Sequence, residues 1–280
     1  MVFNVSDKIL SFYGKFPRPH RGRDRLIKFL EPRARRSWNG IRRYKRNGLI
    51  LESDFSVDDV SWMLYSYGCL DYWDERILRR LVSLKSVCVD AGAHIGYYGL
   101  TLSTIVGQEG TVLCFEPNPR TFPFLQRNIA LNKRANISAI QEALGDTESI
   151  LHISGGDVRL GWSRVSENGQ VPVQCVTLDG EVERAGLTRV DFIKIDVEGY
   201  EPKVLAGASK TILRFHPTIM MEINPDALAA NRCTPEQLAE TLKEFGYRLY
   251  TSSSRGLSLY DPKNDKRSFF NVFAISGQTP

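Results

Sequence analysis

Only Asp90 to Gly96 separates Ser86-Val87-Cys88-Val89, which has the composition of a buried strand, from Tyr97 to Val106, an apolar stretch of helical character. A chain that passes from strand to helix so abruptly needs a tight turn. Gly92 and Gly96 suit one, because main chain that leaves a strand and lets a ligand lie against it is best served by residues without a Cβ. Asp90 at the strand end offers acceptors to a cation or an ammonium group, and the free N–H groups of the helix start offer donors.

The pattern is D-x-G-x-x-x-G, not the G-x-G-x-x-G that seats a pyrophosphate; Ala93 and His94 stand where the dinucleotide fingerprint has its second glycine. The next strand, 111–115, ends in Glu116-Pro117-Asn118-Pro119. A carboxylate at that tip can accept both hydroxyls of a ribose, each charge-assisted hydrogen bond contributing roughly 1.5–3 kcal/mol. A nucleoside with its sugar on Glu116 and its other end over Gly92, with no phosphates between, fits S-adenosylmethionine better than NAD.

The surrounding pattern places this turn in a layered fold. Apolar residues at helical spacing over 58–82, interrupted near Gly68, predict a pair of helices. From Ser86 the segments alternate: strand 86–90, helix 95–106, strand 111–115, helix 118–132, strand 137–142. That alternation argues for a parallel sheet covered on both faces. Two strands, 150–153 and 171–176, then flank the polar stretch 154–170, which reads as an insertion over the mouth of the site. Helix 178–186, a central strand at 190–195, a helix reaching about residue 215, strand 218–223, helix 234–245 and strands 247–252 and 269–275 complete the order.

Charge is divided unevenly. Residues 1–50 hold 14 Lys and Arg against 3 Asp and Glu, a balance of +11, so within a chain of +5 the remaining 230 residues carry −6. Residues 1–55 therefore read as a basic extension of helices broken by Pro17, Pro19 and Pro32 with a short strand from Gly48, and residues 56–280 as the domain proper. Residues 1–46 suit contact with an anionic membrane surface. Tyr13, Phe16, Trp38 and Tyr44 interleave with the charges, equally suited to packing on the domain. Nucleic acid is the less expected partner, since no RNA-binding motif accompanies the arm. Five cysteines without a C-x-x-C pair read as reduced core residues, and no apolar run reaches the roughly 18 residues of a membrane span. With no signal-peptide core at the N-terminus, the expectation is a cytoplasmic protein, peripheral to a membrane if the arm binds one.

Asp90, Glu116, Asp196, Glu198 and Glu222 all fall at or near predicted strand ends, the rim on which open parallel sheets bind ligands. Asp196 also stands where it would serve as a helix N-cap. The set Val89-Asp90-Ala91-Gly92-Ala93-His94-Ile95-Gly96-Tyr97-Tyr98, Phe115-Glu116-Pro117, Asn128 with Asn132, Thr177-Leu178-Asp179, and Ile193-Lys194-Ile195-Asp196-Val197-Glu198-Gly199-Tyr200-Glu201 followed by Val204-Leu205-Ala206-Gly207-Ala208 resembles the FkbM-type class I methyltransferases, over about residues 60–250. The resemblance implies an α/β, Rossmann-like, seven-stranded, mostly parallel sheet with its last strand antiparallel. It implies S-adenosylmethionine as methyl donor and O-methylation of a sugar, glycan or natural-product hydroxyl. By the same resemblance Asp90, Gly92 and Gly96 line the methionine part of the donor, Glu116 holds the ribose and Asp146 lies near the adenine, and His94 joins the cofactor site as an extra base or as a size-compatible substitute. Asp196 and Glu198 would face the methyl group and the acceptor; a sugar hydroxyl needs a base within reach, for which Glu198 is the first candidate and Asp196 the alternative. The family more often has Asn at the position of His94 and Glu near Asp71.

Asp196, Glu198 and Glu222 also offer oxygen ligands to Mg²⁺, but with no matching histidine no metal is assigned. An NAD-linked oxidoreductase would need a phosphate-binding glycine loop and a Tyr–Lys or His pair that are not apparent. Two alternatives stay open beside sugar O-methylation: a nucleic-acid methyltransferase, and a non-catalytic S-adenosylmethionine-binding module anchored by the basic arm.

Overall fold

The computed structural model describes residues 5–19, 22–36, 40–154 and 163–277. It begins with helices α1 (Val5–Tyr13) and α2 (Arg23–Arg35) and a hairpin of β1 (Ile41–Arg46) and β2 (Leu49–Asp54). Pro32 does not end α2, as the sequence suggested, but lies within it. It falls in the last turn, where it forfeits one hydrogen bond. That turn is held from outside, by burial of Ala34 and by Arg35, which pairs with Asp59 at 2.8 Å and stacks 4.9 Å from the centre of Trp62. The aromatic residues of the arm divide: Tyr44 is buried, Phe16 is exposed, and Trp38 lies outside the described residues.

The expected helix pair follows as α3 (Asp59–Tyr67) and α4 (Tyr72–Leu81). Asp58 and Asp71 cap their N-termini, and Gly68 ends α3 at a φ of 80°. The sheet then starts with β3 (Val87–Ala91), α5 (Tyr97–Val106), β4 (Thr111–Phe115), α6 (Phe122–Leu131) and β5 (Ile137–Ile140).

Next come β6 (Ala143–Leu144), β7 (Ser149–Ser154), β8 (Arg164–Val165) and β9 (Val171–Val176), which form a separate small sheet in the order β6-β9-β7-β8. The main sheet resumes through α7 (Leu178–Arg184), β10 (Phe192–Ile195), α8 (Glu201–Gly207), α9 (Ser209–Phe215) and β11 (Thr218–Ile223). It closes with α10 (Pro225–Ala230), α11 (Pro235–Glu244), β12 (Tyr247–Ser253), β13 (Gly256–Leu259) and β14 (Phe270–Ser276). The helix expected from the Asp196 turn to about residue 215 is two helices that meet at Ala208.

The main sheet runs β13-β12-β14-β11-β10-β3-β4-β5. β11, β10, β3, β4 and β5 are mutually parallel, and β14 pairs antiparallel with both β11 and β12. The expected antiparallel last strand is present. The eighth strand, β13, is a short edge hairpin partner of β12 whose residues are half-buried or exposed, so its sequence carries little strand signal.

Alternation along the strands sorts side chains into two cores. Cys88, Phe192 and Met220 face the core built with α3, α4 and α5, whereas Val89, Ile193, Ile195 and Met221 face the one beneath α8, α9 and α11. Four strands, β3, β4, β10 and β11, buried on both sides explain the near-continuous apolar runs that made them legible.

The hairpin is fastened to α6 by side-chain amides one helical turn apart. Asn128 Oδ1 accepts from the Glu52 N–H at 2.7 Å, and its Nδ2 donates to the Glu52 and Ile95 carbonyls at 3.1 and 2.8 Å. Asn132 repeats the pattern on Ile50, accepting at 2.9 Å and donating at 2.7 Å. The two asparagines thus satisfy backbone groups along the edge of β2 as a neighbouring strand would.

Candidate functional site

Sheet order sets what meets at the carboxyl edge. β11, β10, β3 and β4 are consecutive there, so Glu222, Asp196, Gly92 and Glu116, at their ends or in the loops just beyond, follow one another along the rim at strand spacing of about 4.8 Å. A cavity of about 610 Å³ opens over this rim, walled by His94, Glu116, Lys194, Asp196, Glu198 and Glu222 among others, with Val60, Met63, Leu70 and Tyr98 on the side of the helix pair and Phe269, Phe270 and Asn271 at the start of β14. That volume accommodates a nucleoside-sized ligand with a second molecule beside it.

Glu116 is 6% exposed and oriented by main chain: Oε2 accepts from the His94 N–H and Oε1 from the Asn118 N–H, both at 2.9 Å. Burial raises its pKa above the ordinary carboxylate value, an effect that His94 and the two N–H groups reduce. Each oxygen keeps a further lone pair for a hydroxyl donor, which is the chemistry that a ribose demands. His94 sits at a φ of 51°, and its Nε2 lies 3.7 Å from Asp58 Oδ1. Asp58 is buried and already accepts from Ser53, from the Ser61 hydroxyl at 2.6 Å and from the Ser61 N–H at 3.1 Å, so the start of α3 is keyed to the glycine turn.

Gly92 has a φ of 79°, and a Cβ there would collide with the Asp196 carbonyl oxygen. Its lack of a side chain thus serves the contact between two rim loops. Gly96 caps α5 in the left-handed conformation against Leu125 and is not part of the cavity wall. Asp90 is not on the wall either; it is fully buried beneath it. Strand register makes Asp90 and Lys194 neighbours on β3 and β10. Lys194 Nζ stands 3.7 Å from Asp90 Oδ1, 3.0 Å from Asp196 Oδ2 and 4.7 Å from the centre of the Tyr98 ring. Burial pulls the Lys194 pKa down, but the Asp196 and Asp90 carboxylates outweigh it and hold the ammonium above its ordinary range. Burial raises the pKa of Asp90, with Lys194 opposing. Asp146 is not among the wall residues, and its carboxylate pairs with Lys203 at 2.6 Å. The wall in that region is instead Glu142, Ala143 and Leu144.

Asp196, Glu198 and Glu222 converge: one carboxylate oxygen from each lies within 4.8 Å of the others. Asp196 is not a helix cap, since the N-cap position of α8 falls at Tyr200. Glu201 instead organises the turn, its Oε1 accepting from the Val197 and Gly199 N–H groups at 3.2 Å. Glu198 is held there at a φ of 53° beside Gly199 at 98°. Burial, then repulsion from Asp196 and Glu201, pushes the Glu198 carboxyl up to about 7. Glu222, 4% exposed, is raised well above the ordinary value by burial and by Asp196, Glu198 and Glu201.

Sequence reasoning passed over Lys194 as a site residue, although a lysine inside an otherwise apolar central strand is the signal that would have found it. Other motif residues hold the fold: Thr177 caps α7, and Asp179 accepts from the Thr211 N–H at 2.8 Å and the Lys210 N–H at 3.0 Å at the start of α9. Of the polar stretch 154–170, residues 155–162 lie outside the described residues. Beyond them, Ser163 and Val165 line the cavity and Asn118 Nδ2 donates to Ser163 Oγ at 2.6 Å.

The model of the methyltransferase FkbM domain matches residues 90–249, more than half of the chain. Similar proteins include the hexuronic acid methyltransferase AglP of Haloferax volcanii, 30% identical over 145 residues that make up 49% of this chain and 56% of that protein. The 2-O-methyltransferase NoeI of Sinorhizobium fredii is 27% identical over 50% of this chain and 65% of its own length. The chain spans 56–65% of the length of the curated relatives it matches. Among solved structures, a methyltransferase FkbM from Methylobacillus flagellatus aligns with a TM-score of 0.45 at 19% identity, covering 76% of this chain and 52% of that one.

Proposed function

The chain belongs to the FkbM methyltransferase family, and from that premise we propose that it methylates a hydroxyl oxygen of a sugar, glycan or related natural-product acceptor with S-adenosylmethionine as donor. The observation that carries this reading is one continuous cavity walled by the main-chain-oriented Glu116 at one end of the rim and by Asp196, Glu198 and Glu222 at the other. The sheet order gives the two ends different work. Glu116 and the loop of Gly92 and His94 hold the nucleoside, over apolar wall residues Phe115, Pro117, Ala143 and Leu144 that suit an adenine.

Bound S-adenosylmethionine supplies an electrophilic methyl group on a cationic sulfur. Glu198 accepts the proton of the acceptor hydroxyl, and a carboxyl whose pKa is pushed up to about 7 is matched to that task near neutral pH. Asp196, fixed by Lys194, orients the acceptor, and the apolar Met63 and Leu70 line the cavity toward the helix pair. A sugar acceptor is favoured over a nucleic acid by the carboxylate-rich rim, which accepts hydroxyls, and by the hexuronic acid named for one relative.

The arm, in the same reading, docks the enzyme on an anionic membrane surface. Val5, Phe12, Phe16 and Phe29 are exposed on α1, α2 and the turn between them, within a segment of +11.

Calorimetric titration with S-adenosylhomocysteine, with NAD as control, tests the donor site. Micromolar binding of the first and none of the second is expected; binding of NAD alone would overturn the assignment. Methyl transfer to hexuronic acid and hexose glycosides from labelled donor tests the acceptor class, and transfer to RNA alone would overturn it.

A further inference from the structure

We propose that Asp196, Glu198 and Glu222 form a binding site for a single divalent cation of Mg²⁺ or Mn²⁺ type, open to the cavity on its remaining positions. The three carboxylates arrive from different parts of the fold, the residue after β10, the turn before α8 and the end of β11, yet one oxygen from each falls within 4.8 Å of the others. Such a cluster gains meaning from a second observation. Glu222 is 4% exposed, and its Oε2 has no hydrogen-bond partner among the described residues. A buried carboxylate oxygen left without a donor is costly, and it is stabilised when a cation completes its surroundings.

Lys194 does not fill that role. Its ammonium pairs with Asp196 Oδ2 at 3.0 Å and Asp90 Oδ1 at 3.7 Å and acts on Glu198 and Glu222 only as a more distant charge, so one positive charge is shared among four carboxylates. The turn carrying Glu198 is held in a left-handed conformation by Glu201 and Gly199, a geometry maintained at some conformational cost that keeps this side chain at the cluster. An all-oxygen donor set without His or Cys selects hard cations, and three protein ligands leave positions for water or for an acceptor's oxygens. Resting on the O-methylation reading, the ion would bind the acceptor through its hydroxyls and lower the pKa of the one to be methylated, while the second carboxylate oxygen of Glu198, the one not given to the ion, takes the proton.

The test uses the full chain and Mn²⁺ alone, followed by the electron paramagnetic resonance signal of the free ion. Wild-type protein is expected to bind one Mn²⁺ per chain, competed by Mg²⁺. Glu222→Gln and Asp196→Asn are expected to weaken binding ten-fold or more, and Glu109→Gln, a surface carboxylate paired with Lys85, to leave it unchanged. S-adenosylhomocysteine titration of each variant reports whether the fold and donor site survive. Absence of stoichiometric Mn²⁺ binding to wild-type protein, or equal binding by Glu222→Gln and Asp196→Asn proteins that still take the nucleoside, overturns the proposal. Mn²⁺ bound through these residues in a chain that ignores S-adenosylhomocysteine would uphold the cation site and sink the methyltransferase reading instead.

Discussion

At the scale of single residues, the rim assigns different environments to chemically similar carboxylates. Glu116 is oriented by two main-chain N–H groups and Asp90 is sealed beneath the cavity, whereas Glu198 stands on a turn with other acids around it. Glu116→Ala is expected to weaken S-adenosylhomocysteine binding by ten-fold or more, about 1.5 kcal/mol, and calorimetry showing unchanged affinity would remove Glu116 from the ribose. Glu198→Gln is expected to bind the donor product as the wild type does while turnover falls by roughly two to four orders of magnitude, the usual contribution of a general base. Single-turnover rates with labelled donor check this, and a full rate would exclude Glu198 as the base.

Among elements, polar side chains in the cores act as fasteners. Asn128→Ala would leave the Glu52 N–H and two carbonyls without partners, so a loss of roughly 2–3 kcal/mol is expected in urea unfolding. Glu75 on α4 accepts from the Tyr97 hydroxyl of α5 at 2.6 Å, and Asn47 donates to the same hydroxyl at 2.9 Å, which ties the helix pair, the glycine turn and the hairpin together. Burial pushes the Glu75 carboxyl from 4.5 up to about 7. The folded protein then keeps a proton that the unfolded chain has lost, so the stabilisation is complete below about pH 4.5 and is lost as the pH rises toward 7. Glu75→Gln should flatten that part of the stability profile, by on the order of 1–3 kcal/mol between pH 5 and 8. Parallel wild-type and variant curves in thermal unfolding would contradict it. The asparagines and Glu75 were unreadable as fasteners in the sequence, because their partners lie at separations of 76, 82 and 22 residues.

For the whole molecule, the division of charge has a consequence outside the cavity. No helix among the described residues is long and apolar enough to cross a membrane, and the contact proposed for the arm is one of surface charge. Binding to vesicles containing phosphatidylserine is expected at low ionic strength, falling with added salt as screening removes roughly 1 kcal/mol per engaged Lys or Arg. Replacing both Phe12 and Phe16 by Ser should lower the apolar part of that affinity without changing the salt dependence. Equal cosedimentation with neutral and anionic vesicles would rule out the charge-driven contact.

The alternation of periods after Ser86 and the acids at strand ends were settled by the sequence alone, because buried strands and amphipathic helices each impose a local pattern that composition must obey. The separate small sheet, the persistence of α2 through Pro32 and the division at Ala208 were not, since each depends on contacts that override local propensity. The same holds for the site. Which acids share a cavity follows from the order β11-β10-β3-β4, which is not chain order, and from the register that sets Lys194 beside Asp90. Strand order and register are chosen by long-range burial, so Glu222 at the end of β11 meets Asp196 and Glu198 beyond β10.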